Sequence, residues 1–355
     1  MFFLKSSVFC LLAASSIAFL ASTQSKQVDF PLPDSLPDPS PSQIESIQMR
    51  AGGTLPNTPP PMRISSEGIN NLKVMAFTGL SEVAFFDELF RNITTNVPGY
   101  QIANAQERDM ILKSLTTLLA QAELQTIAEN NGLRRFNLNT VRPCRYSFPV
   151  SDFKSAIALG EVFTNLKLGT LQDIVTRFAR GSDFDLALFA TSIAGQKGQQ
   201  SGWFRILQNK VASAVPFPTT GNVDFLFSAV QRFIVPSNCS SIADIPLRTF
   251  QPLNILTPPG PRTQLIRVSW KPTTGGKPGQ LWITYINQLN TPIVERMNII
   301  SSNNETVVAE VLFPYERYLL NGLTIAAVTT SGGPFANAAE VSQATAFGPG
   351  LITVN

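Results

Sequence analysis

Residues 70–95 read NNLKVMAFTGLSEVAFFDELFRNITT. Leu72, Met75, Gly79, Val83, Phe86, Phe90 and Ile93 recur at spacings of three and four, which lays one apolar stripe along a helix. Glu82 falls three residues after Gly79 and four before Phe86, at the edge of the face that should be buried. A second helix is expected over 105–130, with Ile111, Leu115, Leu118 and Ala122 in its stripe and Asn131-Gly132 as its stop. A third is expected over 151–180, with Gly169 as the point where it would break. A fourth is expected over 183–210, led by Leu186, Phe189 and Ile193. Long amphipathic helices in succession argue for a bundle.

Polar residues inside these stripes need a reason, because a buried charge is costly unless paired. Gln125 lies three residues after Ala122, Lys197 four after Ile193, and Gln200 three further on. Two readings are open. Either the fourth helix ends early and Lys197 is solvated, or the bundle has a polar centre.

The flanks differ from the helical part. Residues 1–22 carry Lys5, an apolar run from Val8 to Leu20, and small residues around Ala18 and Ala21. That pattern reads as a signal peptide. A membrane anchor is the competing reading, but the run is shorter than the ~20 residues that a span needs. Residues 23–64 are rich in proline and serine and read as an extended leader. Residues 65–253 form the helical domain, and prolines between Pro252 and Pro261 mark its end. From 254 to 355 the pattern changes to short alternating runs. Examples are Ile266, Val268 and Trp270, and then Val307, Ala309, Val311 and Phe313. Further strands fit 281–287, 293–300, 323–330 and the region near Leu351, with turns at Gly275-Gly276, Asn303-Asn304, Asn321-Gly322 and Gly332-Gly333. This spacing predicts an immunoglobulin-like β-sandwich, so the fold class is α+β multidomain.

Composition narrows the chemistry. The chain has no histidine, which excludes histidine-ligated metal centres and Ser-His-Asp or Cys-His catalysis. Net charge is +3 with no basic block, which argues against nucleic acid as a partner. Cys10 would leave with the signal peptide, and Cys144 and Cys239 would pair in an oxidising compartment; two separate buried thiols are the alternative. Asn92, Asn238 and Asn304 stand in N-glycosylation sequons. No Gly-Lys-Ser/Thr phosphate loop is present, and no cofactor is expected. A metal-independent hydrolase would need two carboxylates across a cleft. Glu82, Asp87, Glu88 and Glu123 are the available acids, the last three expected on solvated faces. Exposed aromatic side chains at Trp270, Trp282 or Tyr285 would favour carbohydrate binding, against core packing as the plainer expectation.

The segments GLSEVAFFDELFRNIT (79–94), LLAQAELQTIAENNGL (118–133) and TLQDIVTRFARGSDFDLALFATSIAGQKGQQSGWFR (170–205) resemble the ferritin-like domain of fungal secreted proteins. The similar family is that of the late sexual development and starvation- or stress-responsive proteins. PCRYSFPV around Cys144 and FIVPSNCSSIADIPL around Cys239 extend the resemblance over about residues 65–253. It implies a ferritin-like four-helix bundle. Di-iron bundles of that type use a Glu on each of two helices and Glu-x-x-His on the other two. Carried over, the first-helix Glu matches Glu82, and the second-helix pair falls on Ala122 and Gln125. The third-helix Glu falls near Asn165 or Leu166, and the fourth-helix pair falls on Lys197 and Gln200. The metal site is thus expected to be degenerate. The resemblance implies a non-catalytic secreted protein of sexual development, stress response or the cell surface. The alternative is an extracellular module whose β-sandwich contacts cell-wall polysaccharide or a partner protein, with no membrane span after signal cleavage.

Overall fold

The computed structural model describes residues 27–58, 61–236, 239–272 and 280–355. The segment read as a signal peptide, with Cys10, the Asn238 sequon and the turn expected at Gly275-Gly276 lie outside the described residues.

Four long helices make the first half: α2 (Ser66–Thr94), α3 (Ala105–Arg135), α4 (Phe153–Arg180) and α5 (Phe184–Leu207), after a shorter α1 (Pro41–Ala51). Side-chain caps set their starts: Ser65 accepts from Gly68, Asn104 from Glu107, and Asp152 from Ser155. Asp183 does not cap α5; its carboxylate accepts from the Ser65 backbone N–H and hydroxyl, so it anchors the start of α2.

Two helices run past their expected breaks, and α5 decides between the two readings of Lys197. α3 continues through Asn131-Gly132 because Gly132 lies against Leu72, where a Cβ would come within 3.2 Å of the leucine. α4 continues through Gly169 because the chain at Thr219 crosses it there, and a Cβ would sit 2.0 Å from the Thr219 carbonyl oxygen. α5 continues past Ile193 to Leu207, so Lys197 is in mid-helix and 0% exposed, not solvated.

The contacts fix the helix directions. Leu72 meets Gly132 while Gly79 meets Thr126, so α2 and α3 are antiparallel. Glu67 pairs with Arg177 and Glu82 with Lys167, so α2 and α4 are antiparallel too. α3 and α4 therefore run the same way, and residues 136–152 must cross the length of the bundle. Extended chain of that length reaches roughly 55 Å, enough for a helix of 28 residues, which is about 42 Å long.

The crossover carries Cys144, Tyr146 and Phe148, all buried. Cys144 is bonded to Cys239, with Cα atoms 4.6 Å apart. Peptide mapping of unreduced protein should therefore recover one linked Cys144–Cys239 peptide pair. Two free thiols in the folded chain would contradict this pairing.

The segment expected as an extended leader is folded over its described part. Ser40 and Gln43 form a capping box, and Pro41 occupies the first helical position, where no backbone donor is needed. α1 packs on α3. Val28, Leu32, Leu36, Ile47 and Ala51 are buried, and Val28 bridges to Tyr146. Residues 41–51 hold no proline after Pro41 and can form helix, and the apolar residues on either side of it find a surface to cover.

A further helix, α6 (Val223–Gln231), was not expected. Phe225, Leu226, Phe227 and Val230 are all buried, while Asp224, Ser228 and Gln231 form a narrow polar stripe that bonds to residues 248–250.

The second half is a seven-stranded sheet: β1 (Asn254–Ile255), β2 (Gln264–Trp270), β3 (Trp282–Asn287), β4 (Ile293–Ser302), β5 (Val307–Phe313), β6 (Gly322–Thr329) and β7 (Thr345–Val354). The order is β1-β2-β5-β4-β3-β6-β7, with every neighbouring pair antiparallel. β4 pairs with β3 through residues 293–296 and with β5 through 297–302. It thus joins two halves, and β1 returns to touch β7. The halves enclose one apolar core that includes Ile266, Val268, Val311, Phe313, Val328 and Ile352, so the sheet is sandwich-like.

Trp270 and Tyr285 are part of that core, which removes them from any exposed aromatic row; Trp282 is half-buried with Gly332 against its ring. Every residue of β6 is buried. Ala326 and Val328 face the sandwich core, whereas Leu323, Ile325 and Ala327 face the helical core. The alternation of a strand thus welds the two parts that the sequence separated at 253/254.

Candidate functional site

The stripes of α2 to α5 converge on one polar layer. On α2 the stripe reads Met75, Gly79, Glu82, Phe86; on α3, Ala122, Thr126, Glu129, Leu133. On α4 it reads Gly160, Thr164, Lys167, Leu171; on α5, Ile193, Lys197, Gln200, Phe204. Each has the three-and-four spacing of a buried seam, and polar residues interrupt all four at the same level.

Glu82 is the hub. Its Oε2 accepts from Lys167 Nζ at 2.8 Å, and its Oε1 from Lys197 Nζ at 2.7 Å. Gln200 Nε2 donates to Glu82 Oε1 at 2.8 Å and to the Thr164 hydroxyl at 2.8 Å. The Gln200 amide oxygen accepts from Lys197 at 3.1 Å. Burial alone would raise the Glu82 carboxyl; Lys167 and Lys197 overcome it and hold the carboxyl well below its ordinary range. Burial pushes Lys197 down, helped by the Lys167 charge beside it and opposed by Glu82. For Lys167, the attraction of Glu82 and then Glu129 outweighs burial, and its ammonium is held more firmly than usual.

Glu129 completes the layer. It is 0% exposed, and neither carboxyl oxygen makes a hydrogen bond among the described residues. Burial raises it to about 7, against the pull of Lys167 and Lys197 and with the repulsion of Glu82.

The expected positions meet this layer only in part. Glu82, Lys197 and Gln200 come together as anticipated for a polar centre. Ala122 is buried and apolar, and Gln125 points to Gln196 at 3.4 Å instead. Asn165 accepts from Ser201, and Leu166 is packed in the core, so neither stands for the third-helix ligand. The α4 members are Thr164 and Lys167, and the α3 members are Thr126 and Glu129. The signal that would have found them is the same one that found Glu82, a polar residue in a seam.

Three other expectations also change. Asp87, Glu88 and Glu123 are buried rather than solvated. Burial raises all three, Glu88 to about 7 and Glu123 to about 9. Asp34 from the N-terminal segment adds to the rise at Glu123, and Arg50 contacts both at 2.9 and 3.3 Å. Of the described sequons, Asn92 is 8% exposed on α2, and Asn304, in the β4–β5 turn, is exposed.

Among the described residues no group of three or more His, Cys, Asp or Glu side chains converges as a metal site would, and no helix is long and apolar enough to cross a membrane. A divalent metal, which the ferritin-like resemblance implies, does not fit the donor set: the layer holds two carboxylates, Glu82 and Glu129, against two ammoniums, both of which point at Glu82. Compared with models of known protein families and with curated proteins, the chain matches none.

Proposed function

We propose that this chain is a non-catalytic, secreted, ferritin-like protein in which an ion cluster stands where a metal centre would lie. The carrying observation is that Lys167 and Lys197 reach Glu82 at 2.8 and 2.7 Å from two other helices. A metal there would neutralise carboxylates; ammoniums perform the same charge balance with no exchangeable ion. The topology supports the ferritin-like reading, because α3 and α4 run parallel and are joined by one long crossover, as in that class of bundle. The Cys144–Cys239 bond supports an oxidising, extracellular compartment. The proposed role is a scaffold of fungal development, stress response or the cell surface, with an immunoglobulin-like sandwich as its second part. Contact with cell-wall polysaccharide or an extracellular protein belongs to this proposal, although Trp270 and Tyr285 lend it no stacking surface.

Elemental analysis tests the central claim. Purified protein passed through gel filtration should carry iron, manganese and zinc far below one ion per chain. A retained ion at about one per chain would sink the reading, since a metal-loaded centre requires Lys167 and Lys197 to be elsewhere.

A further inference from the structure

A cavity of about 50 Å³ lies beside the ion cluster, between α2, α4 and α6 and under the crossover residue Phe148. Its walls are apolar for the most part: Phe85, Phe148, Leu159, Leu226 and Phe233 among them. Its polar end is made by Glu82, Lys167 and Thr164. The Glu82 and Lys167 side chains keep 12% and 7% exposure, unlike Lys197 at 0%, which is sealed behind them. Lys167 is the member of the pair that faces the cavity.

Lys167 makes one hydrogen bond among the described residues, to Glu82. An ammonium carries three donors, so two N–H directions at the cavity end have no protein acceptor. Lys197, by contrast, is bonded to both Glu82 and Gln200. The charges are uneven as well. Two ammoniums share one hydrogen-bonded carboxylate, and Glu129, with its affinity for protons raised, donates to or accepts from neither. The cavity end therefore pairs one lining carboxylate, Glu82, with one lining ammonium, Lys167, that has donors to spare, while Lys197 already neutralises the same carboxylate from outside the cavity.

We propose that this cavity is a binding site for a short-chain carboxylate of about two or three carbons, its carboxylate on Lys167 and its alkyl chain among the phenylalanines. Size sets the class: a water needs ~10–15 Å³ on this measure, so 50 Å³ admits roughly four or five heavy atoms. A carboxylate suits the site better than a neutral acceptor because it adds the attraction of a full ion pair to the charge-assisted hydrogen bond that either would receive from Lys167, in a site shielded from water. The proposal rests on the reading of Glu82, Lys167 and Lys197 as an ionised cluster, and it goes beyond that reading by assigning the cluster a ligand.

Calorimetric titration of the full purified chain with propionate, at about pH 6 where this ligand is ionised, tests it. One propionate per chain should bind saturably. Propionamide, of the same shape without the charge, should bind at least about tenfold more weakly, and octanoate should be excluded by length. Lys167→Met should abolish propionate binding. Val230→Phe, which fills the cavity and leaves every charge in place, should abolish it too while circular dichroism and the unfolding midpoint report an intact fold. Equal binding of propionate and propionamide, no saturation up to about 50 mM, or undiminished binding to Val230→Phe each overturns the proposal. If Lys167→Met fails to fold, the comparison of propionate with propionamide on the unaltered chain still decides. A failed titration in a metal-free protein leaves the ion-cluster reading standing, whereas a stoichiometric metal overturns that reading itself.

Discussion

Glu82→Ala should destabilise the chain by about 3–5 kcal/mol, because it leaves buried cations with no hydrogen-bonded counter-ion. Lys197 is fully buried and Lys167 nearly so, and both depend on this carboxylate. The cost comes from stranding charge, not from losing a strongly favourable bond. Desolvation offsets much of the attraction within a buried ion pair, so removing all partners together is far milder than removing one. The triple change Glu82→Leu, Lys167→Met, Lys197→Met should therefore lie within roughly 1.5 kcal/mol of the parent, as volume-conserving apolar replacements do. In that variant Glu129 loses the ammoniums that favour its ionised form, and it stays protonated at neutral pH. Urea unfolding of the single, double and triple variants gives the coupling directly. Near-zero coupling between positions 82 and 197, or a Glu82→Ala cost under about 1 kcal/mol typical of a solvated pair, would rule out the cluster as drawn.

Stability should fall as the pH rises from about 4.5 towards 9. Glu88 and Glu129 are raised from 4.5 to about 7, and Glu123 from 4.5 to about 9. A raised carboxyl binds its proton more tightly in the folded chain than in the unfolded one. Its contribution is fully present below 4.5 and is lost as the pH climbs through the folded value. Each tenfold difference in proton affinity is worth about 1.4 kcal/mol, so Glu129 alone accounts for roughly 3 kcal/mol across its window. Glu82 acts in the opposite sense. Its lowered value makes its contribution disappear as the pH falls below 4.5. Lys197, lowered to about 8, adds stability with rising pH only above that value. The maximum should therefore sit on the acid side of neutral. Urea midpoints measured at pH 5, 7 and 8.5 check this, and Glu129→Gln should flatten the fall between 4.5 and 7. The groups facing Glu129 are Lys167, Lys197 and Glu82. A profile that is flat or rising from pH 5 to 8 would contradict the burial of these acids as protonated groups.

Much of the fold can be read along the chain because periodicity is local. The stripe from Leu72 to Ile93 declares α2 without reference to any other helix, and the alternation of Val307, Ala309, Val311 and Phe313 declares β5 with all four facing the sandwich core. What misled was also local. Asn131-Gly132 and Gly169 look like breaks until Leu72 and the Thr219 carbonyl are placed against them. The prolines before Pro41 look like an unfolded leader until the bundle offers Val28, Leu36 and Ile47 a surface. α6 is short, and its polar residues Asp224, Ser228 and Gln231 find their partners only in the segment 248–250 that folds back on it.

The site divides in the same way. Sequence alone determined that no histidine is present, that Glu82 and Lys197 interrupt apolar seams, and that Cys144 and Cys239 could pair. It could not say that Lys167 and Glu129 belong to the same layer, because seam positions on different helices are related only by helix direction and axial offset. Those are set by the crossover at 136–152 and by close approaches such as Gly79 to Thr126. Nor could it separate a solvated Asp87, Glu88 or Glu123 from a buried one, since the N-terminal segment and the Asp34–Arg50 pair that close over Glu123 come from more than 70 residues away. A carboxylate's environment is a property of what packs against it, and only the tertiary structure brings those partners together.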